Sequence, residues 1–133
     1  MNITDIQTRC DRVPFFRFLD FTITQVDDAQ IMAQMPFAER HIGNPVLETF
    51  HGGIIASFME AIASICVLDD ISDDPSKPIN LTVDYLRPGF AGTLTTRAMI
   101  TKKGRRMASV ETMAWLEDET KPVAKALFHF LLV

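Results

Sequence analysis

The chain has 133 residues, of which 47% are hydrophobic and 23% are charged, a composition typical of one folded globular domain and too apolar for a disordered chain. A net charge of −4 and a pI near 5.3 argue against a nucleic-acid partner or an anionic membrane surface, because both attract basic proteins. The sequence shows no secretion signal and no apolar stretch of roughly 20 residues that could span a membrane. Its only cysteines, Cys10 and Cys66, are expected to be reduced thiols in a cytoplasmic protein.

Short elements come first in the predicted order. Apolar residues near helical spacing predict a short helix within residues 2–18, and Pro14 is expected to end it because proline cannot continue a helix. β-Branched and alternating residues then predict a hairpin made of two strands, 21–26 and 29–35. Proline, glycine and asparagine mark residues 36–50 as a loop.

The most apolar segment is a predicted central helix at residues 52–68. Its sequence, GGIIASFMEAIASICVL, is long enough for four turns and apolar on nearly every face, so the helix must be buried on nearly every face. The rest of the chain predicts four strands, at 79–86, 93–101, 107–116 and 123–133. Connections too short for crossover helices predict an antiparallel sheet. The whole chain, 1–133, is therefore expected to form one α+β domain with its sheet wrapped around one helix.

The first strand after the helix shows a strict alternation of apolar and polar residues. Its apolar positions are Ile79, Leu81, Val83 and Tyr85. Alternation of this kind is typical of a strand with one face against a core and one wetter face. We therefore expect these four side chains to pack inward.

Glu60 is the only carboxylate within the predicted central helix. Burying an unpaired carboxylate costs several kcal/mol, so such a group reaches a polar opening, forms an ion pair or is held protonated. Each of these outcomes is common at functional sites. The residues alone leave a structural alternative open, in which Glu60 lies on one wet stripe of the helix or pairs with a lysine or arginine.

The segment His51-Gly52-Gly53 opens the same helix. Glycine lets another backbone or a ligand approach closely, and the N–H groups of a first helical turn are free to bind a carbonyl oxygen or a developing oxyanion. A tight turn with His51 as a polar cap is the structural alternative. On an ideal helix His51 and Glu60 are about 13 Å apart and half a turn out of phase. They can act on one substrate most simply if a symmetric dimer brings together residues of two subunits.

These motifs resemble those of a known family. The run NPVLETFHGGIIASFME at 44–60, followed by VDYLRPG at 83–89 and KKGRR at 102–106, resembles the PaaI-like hotdog thioesterases over residues 20–133. The resemblance implies a hotdog fold, in which an antiparallel sheet wraps a central helix. It also implies a homodimer, or a dimer of dimers, with sites at the edge-to-edge subunit interface and no cofactor.

The resemblance further implies hydrolysis of an acyl-CoA or related thioester to a carboxylic acid and a free thiol. The Gly52 N–H would polarise the thioester carbonyl, His51 would orient that region, and Glu60 from the partner subunit would act as general base or nucleophile. Asn44 is carried over as a further catalytic residue. The expected substrate-binding residues are a helix glycine and basic side chains for the coenzyme A phosphates: Gly53, Arg87, Lys103, Arg105 and Arg106. A solvated hairpin tip is the alternative for the basic loop.

Three positions depart from the family pattern. Glu60 stands where aspartate is common, and Asn44 lies one residue earlier than the usual asparagine, whose place is taken by Pro45. Pro78 stands where some members have a serine or threonine that orients water. Two other functions therefore stay open: a non-catalytic acyl or coenzyme A binding protein, and a hotdog dehydratase or hydratase. The dehydratase is disfavoured because the chain lacks the histidine and acid pair that such enzymes place elsewhere.

The remaining candidates are weaker. His41 and His129 are assigned no function, and no spacing of histidine, cysteine and carboxylate predicts a metal site. Three apolar side chains are candidates for the wall of an acyl tunnel: Phe58, Met59 and Phe90.

Overall fold

A six-stranded antiparallel sheet packs along one long helix in the computed structural model, which describes residues 2–70 and 72–132. The helices are α1 (Ile3–Cys10), α2 (Pro14–Leu19) and α3 (Gly52–Cys66). The strands are β1 (Thr22–Asp27), β2 (Gln30–Pro36), β3 (Ile42–Asn44), β4 (Thr49–Phe50), β5 (Pro78–Tyr85), β6 (Thr93–Lys103), β7 (Met107–Trp115) and β8 (Ala124–Leu131). The large sheet has the order β1-β2-β6-β7-β8-β5, and β3 pairs with β4 alone. The predicted α+β architecture is confirmed.

The core lies between α3 and the inner face of the sheet. Phe58, Met59 and Ile62 of the helix are fully buried, and burying each such side chain contributes about 1.5–3 kcal/mol. Alanines recur where the strands face the helix, and their small side chains let the helix approach the sheet: Ala33, Ala98, Ala108, Ala114, Ala124 and Ala126. The helix is therefore buried over most of its surface, as its composition predicts.

The N-terminal region differs from the sequence prediction. The first helix ends at Cys10, and Pro14 begins a second short helix instead of ending the first. Proline suits this place because its fixed φ matches the first helical residue, whose N–H needs no partner within the helix. Residues 36–50, predicted as a loop, contain a 3₁₀ turn at Glu39–His41 and the small β3–β4 sheet. The central helix ends at Cys66, two residues before the predicted end.

The prediction for β5 is wrong on its packing. Ile79, Leu81 and Tyr85 are 52%, 43% and 54% exposed, and only Val83 packs partly against the core. The reason is topological, because β5 is the outermost strand beside β8. Its apolar face is covered only in part by α3, and no further strand lies beside β5 along the described chain. The last predicted strand is observed at Ala124–Leu131, and Val133 lies outside the described residues.

Candidate active site

The start of α3 presents one unused backbone donor. His51 is the N-cap, and its Nδ1 accepts a hydrogen bond from the Gly53 N–H at 2.8 Å. The Gly52 N–H has no acceptor among residues 2–70 and 72–132. Gly52, and not Gly53, therefore offers the free donor at this helix end.

The backbone of His51 is itself held from outside the helix. Its N–H donates to the His41 carbonyl at 2.7 Å. A Cβ on Gly43 would lie 2.6 Å from the His51 Cα, so only glycine fits there. The buried His41 ring accepts from the Ala38 N–H through Nδ1 at 3.1 Å and bonds the Leu19 carbonyl through Nε2 at 2.9 Å. Sequence reasoning missed His41 and Gly43 as supports, because neither lies in a motif.

The end of β5 also contacts the start of the helix. The Tyr85 hydroxyl donates to the Gly52 carbonyl at 2.7 Å, and a Cβ on Gly52 would lie 3.3 Å from the Tyr85 ring. The following turn packs close by, since the Phe50 N–H donates to the Gly89 carbonyl at 2.8 Å. The sequence showed this segment only as part of a family motif, and its contact with the helix depends on the topology.

Glu60 lies on the least buried stripe of α3. That stripe follows helical spacing and consists of Gly53, Ala56, Ser57 and Glu60. The carboxylate is half-buried and has neither a hydrogen bond nor an ion pair within the described parts of the chain. Burial raises the pKa of Glu60, and the nearby Lys77 ammonium partly opposes that shift. The structure thus agrees with the first structural alternative, in which Glu60 lies on the wetter stripe of the helix, and shows no pairing with a lysine or arginine among the described residues.

The two parts of the predicted site lie at different places on one helix. Gly52 and Glu60 are separated by eight helical residues, or about 12 Å along the axis. Gly52 lies beside Tyr85, the last residue of β5, whereas Glu60 lies near Lys77, just before its first residue. One chain therefore presents the donor and the acid at different positions along α3, about 12 Å apart.

Asn44 has a structural contact that its family role does not require. Its Oδ1 accepts from the N–H groups of Val46 and Leu47 at 3.0 and 3.1 Å, which closes the turn between β3 and β4. The amide oxygen is therefore occupied, and a catalytic role for Asn44 stays a prediction.

The basic residues predicted to bind substrate have different surroundings. Lys103 forms an ion pair with Asp69 at 2.7 Å, whereas Arg105 and Arg106 at the β6–β7 turn are exposed and form no ion pair with any described residue. Arg87 donates to the Pro122 carbonyl at 3.0 Å. It also lines a cavity of about 350 Å³ together with the half-exposed Phe90. Their roles in binding stay predictions.

The tunnel candidates do not line the cavity on the outer face of the sheet. Phe58 and Met59 are fully buried in the core, so in one chain they line no open tunnel. A larger cavity of about 460 Å³ lies on the outer face of the sheet, between residues such as Arg97, Glu111 and Lys125. These side chains point away from α3, so this cavity is separate from Gly52 and Glu60.

Two further observations bear on function. No group of three or more histidine, cysteine, aspartate or glutamate residues comes close enough to hold a metal ion within 2–70 and 72–132. In the same ranges, none of the helices has both the length and the apolar character that crossing a membrane requires.

Comparison with known proteins identifies the family. Residues 47–123 match the family model described as the thioesterase superfamily, and this span holds the start of α3, Glu60 and β5. The chain belongs to the thioesterase superfamily. Among the relatives of this thioesterase-superfamily protein, the medium/long-chain acyl-CoA thioesterase YigI of Salmonella typhimurium is 29% identical over 123 residues. That alignment covers 80% of this chain and 78% of the relative.

Solved structures agree on the fold. Thioesterase superfamily member 2 from Mus musculus superposes with a TM-score of 0.81 at 19% identity, covering 98% of this chain and 96% of that one. The E. coli PaaI protein from the phenylacetic acid degradation operon gives a TM-score of 0.79 at 21% identity, covering 96% and 93%. The predicted PaaI-like hotdog family is confirmed, and with it the reaction class, hydrolysis of a thioester.

Proposed function

We propose that the protein is an acyl-CoA thioesterase that works as a homodimer joined through β5. Each of its two sites would combine the Gly52 N–H of one subunit with Glu60 of the partner subunit. The observation that carries this proposal is the direction of α3 beside β5, because the helix start lies at the end of the strand and Glu60 lies eight residues farther along the helix, where the Lys77 ammonium that precedes β5 influences its pKa.

A twofold axis at β5 would bring the donor of one subunit and the acid of the other into one site. Two copies of an edge strand related by a twofold axis pair antiparallel, so the end of one strand lies beside the start of the other. The Gly52 end of one helix would then face the Glu60 region of the other. The 12 Å separation of roughly eight helical residues within one chain would be bridged by the second chain.

The exposed apolar side chains support the same interface. Besides the apolar face of β5, the turn between β3 and β4 presents Val46 at 89% and Leu47 at 55% exposure. Apolar patches of this kind are typical of protein–protein contacts. A dimer of dimers is compatible with the proposal, because a second interface elsewhere leaves the two sites unchanged.

The proposed chemistry needs only these groups and water. Glu60 accepts a proton from a water molecule whose oxygen attacks the thioester carbonyl carbon, and the Gly52 N–H donates to the oxyanion that develops. Collapse of the tetrahedral intermediate breaks the C–S bond, and the proton held by Glu60 goes to the leaving thiolate. A raised pKa suits Glu60 to this exchange, because the pKa of its carboxyl then lies closer to neutral pH. Direct attack by Glu60, forming an anhydride that water then cleaves, is the alternative path.

Coenzyme A thioesters are the proposed substrate class. The relatives named medium/long-chain acyl-CoA thioesterase support it, and so do the unpaired cations of the exposed turn between β6 and β7. Arg105 and Arg106 would bind phosphates in a bidentate manner, with Arg87 as a further contact. We propose a cytoplasmic location, where coenzyme A thioesters occur and where the free thiols Cys10 and Cys66 stay reduced.

Release of free thiol from a panel of short, medium, long and aromatic acyl-CoAs tests the proposal. We expect the wild type to cleave at least one of them, and Glu60→Gln to lower kcat/KM by at least about a hundredfold, the usual contribution of a general base. Glu111→Gln is the matched control, because Glu111 is exposed on the sheet and outside the proposed site. Binding of acyl-CoA without any cleavage would instead favour the non-catalytic binding protein, for which the loss of a water-orienting hydroxyl at Pro78 offers a reason.

A further inference from the structure

Tyr85 and His51 clamp two ends of the same peptide group. The Gly52–Gly53 peptide has its carbonyl oxygen bound by the Tyr85 hydroxyl at 2.7 Å and its N–H bound by His51 Nδ1 at 2.8 Å. The clamps come from different elements, the end of β5 and the N-cap of α3. Both atoms of this peptide are therefore fixed from outside the helix ladder.

A clamp matters here because the donor residue is glycine. Glycine has the softest backbone of all residues, so the direction of the Gly52 N–H depends on what holds its own peptide and the peptides on either side. Its own peptide is held through the His51 carbonyl, which accepts from the Ile54 and Ile55 N–H groups at 2.9 and 3.1 Å. The His51 N–H on one side is held by the His41 carbonyl at 2.7 Å. Stabilising an oxyanion depends on a donor that already points at the right place, since reorienting it during the reaction costs free energy.

Close packing explains why Gly52 cannot carry a side chain without displacing Tyr85. A Cβ at that position would lie 3.3 Å from Cε1, Cζ and the hydroxyl oxygen of Tyr85. Tyr85 thus covers one side of Gly52 and is itself 54% exposed. The ring stands at the rim of the proposed site and contacts the residue that carries the free donor.

We propose that Tyr85 is a positioning residue for thioester hydrolysis, which holds the Gly52–Gly53 peptide so that the Gly52 N–H points at the substrate carbonyl. This inference rests on the proposed function. It assigns to the YLRPG segment a role beyond closing a turn, and it couples the edge strand to the start of the helix.

Kinetics of Tyr85→Phe, His51→Ala and the double variant test the proposal. We expect Tyr85→Phe to lower kcat about tenfold with KM within about twofold of the wild type, because the lost contact acts through the donor in the transition state. The double variant should be no more than about twofold slower than the slower single variant, since both residues hold one peptide. Fully multiplicative effects, or a Tyr85→Phe kcat within twofold of the wild type, would overturn the assignment.

Thr82→Val is the matched control, because it removes a hydroxyl from the same strand on the opposite face of the sheet. It should leave kcat unchanged, and light scattering should show the same assembly for every variant. If Tyr85→Phe lowers kcat and also loses assembly, the role of Tyr85 is merely structural.

A readout without turnover separates this proposal from the proposed function. The chain has only six glycines, so selective ¹⁵N-glycine labelling gives a simple amide spectrum. In Tyr85→Phe the Gly52 and Gly53 amide resonances should move, whereas that of Gly104, at the turn between β6 and β7, should not. Unmoved Gly52 and Gly53 resonances would refute the clamp even in an active enzyme. Moved resonances in a protein that cleaves no thioester would refute the proposed function and leave the clamp standing.

Discussion

The two edges of the large sheet are finished in different ways. At the β1 edge, Gln7 of α1 mimics a neighbouring strand: its Oε1 accepts from the Ile23 N–H at 2.7 Å and its Nε2 donates to the Phe21 carbonyl at 3.2 Å. At the β5 edge the described chain supplies no cover, and Leu81 and Tyr85 remain exposed. A bare apolar edge invites pairing with another chain. On our proposal, the β1 edge is closed by folding, whereas the β5 edge is used for assembly and catalysis.

The largest expected effect comes from breaking the β5 edge. Leu81→Glu places a charge on the apolar face, and two such charges would repel each other across a twofold axis. We expect a folded monomer with kcat/KM lowered at least about a thousandfold, because the acid and the donor of each site are then separated. Size-exclusion chromatography with light scattering, together with thiol release, measures both effects.

Gln7→Ala is the corresponding change at the β1 edge. It removes two hydrogen bonds to backbone and should lower the free energy of unfolding by about 1–2 kcal/mol while leaving assembly and kcat intact. Loss of assembly in this variant, or full activity of a Leu81→Glu monomer, would contradict the division between the edges.

A smaller but more local effect is expected at Gly52. Gly52→Pro removes the free N–H, and the backbone is compatible with proline because Gly52 is the first helical residue and His51 has an extended backbone at φ −60° and ψ 136°. We expect kcat to fall by about a hundredfold to a thousandfold, as for other oxyanion donors. Gly52→Ala is the control, because it keeps the N–H and makes the same 3.3 Å approach to Tyr85. Equal losses in both variants would mean that crowding, and not the donor, is responsible.

The smallest effect concerns the pH dependence set by Glu60. Because burial raises the pKa of Glu60, kcat/KM should rise with pH through a value above that of an ordinary glutamate. The same shift favours the neutral carboxyl in the folded state. Its contribution to stability is present below the unfolded pKa, near 4.3, and is lost as pH rises through the folded pKa.

Glu60→Gln should therefore melt at a higher temperature than the wild type at pH 7 to 8, and this advantage should shrink toward pH 4. Thermal melts at several pH values measure this difference in melting temperature. The exposed control Glu111→Gln should melt no higher than the wild type. If Glu60→Gln instead melts at a lower temperature than the wild type at every pH, the Glu60 carboxylate stabilises the fold.

Local patterns predicted most of the fold. The apolar run of α3 and the alternation in the strands are short-range features, so the order of the hairpin, the central helix and the later strands along the chain follows from periodicity. The second short helix at Pro14 was missed because a proline ends or begins a helix according to what precedes it. The inward packing of Ile79, Leu81 and Tyr85 was wrong because alternation reveals an apolar face without revealing what covers it.

For the candidate site, the sequence could single out residues, and their catalytic roles stay predictions. His51, Gly52 and Glu60 stand out as residue types in an unusual place, and the structure gives each of them a distinct environment. The contacts of Tyr85 and His41 with the start of α3 link positions 33 and 10 residues away, and no local pattern encodes such pairs. The ion pair of Lys103 with Asp69 is of the same kind.

Subunit complementation tests the central claim most directly. Differently tagged Gly52→Pro and Glu60→Gln chains are co-expressed, and the mixed dimer is isolated. A site shared between subunits leaves the mixed dimer with one intact donor–acid pair and one doubly altered pair, so we predict that it regains about half of the wild-type kcat per dimer while both parent homodimers stay inactive. A mixed dimer as inactive as its parents would contradict the account and place donor and acid within one subunit.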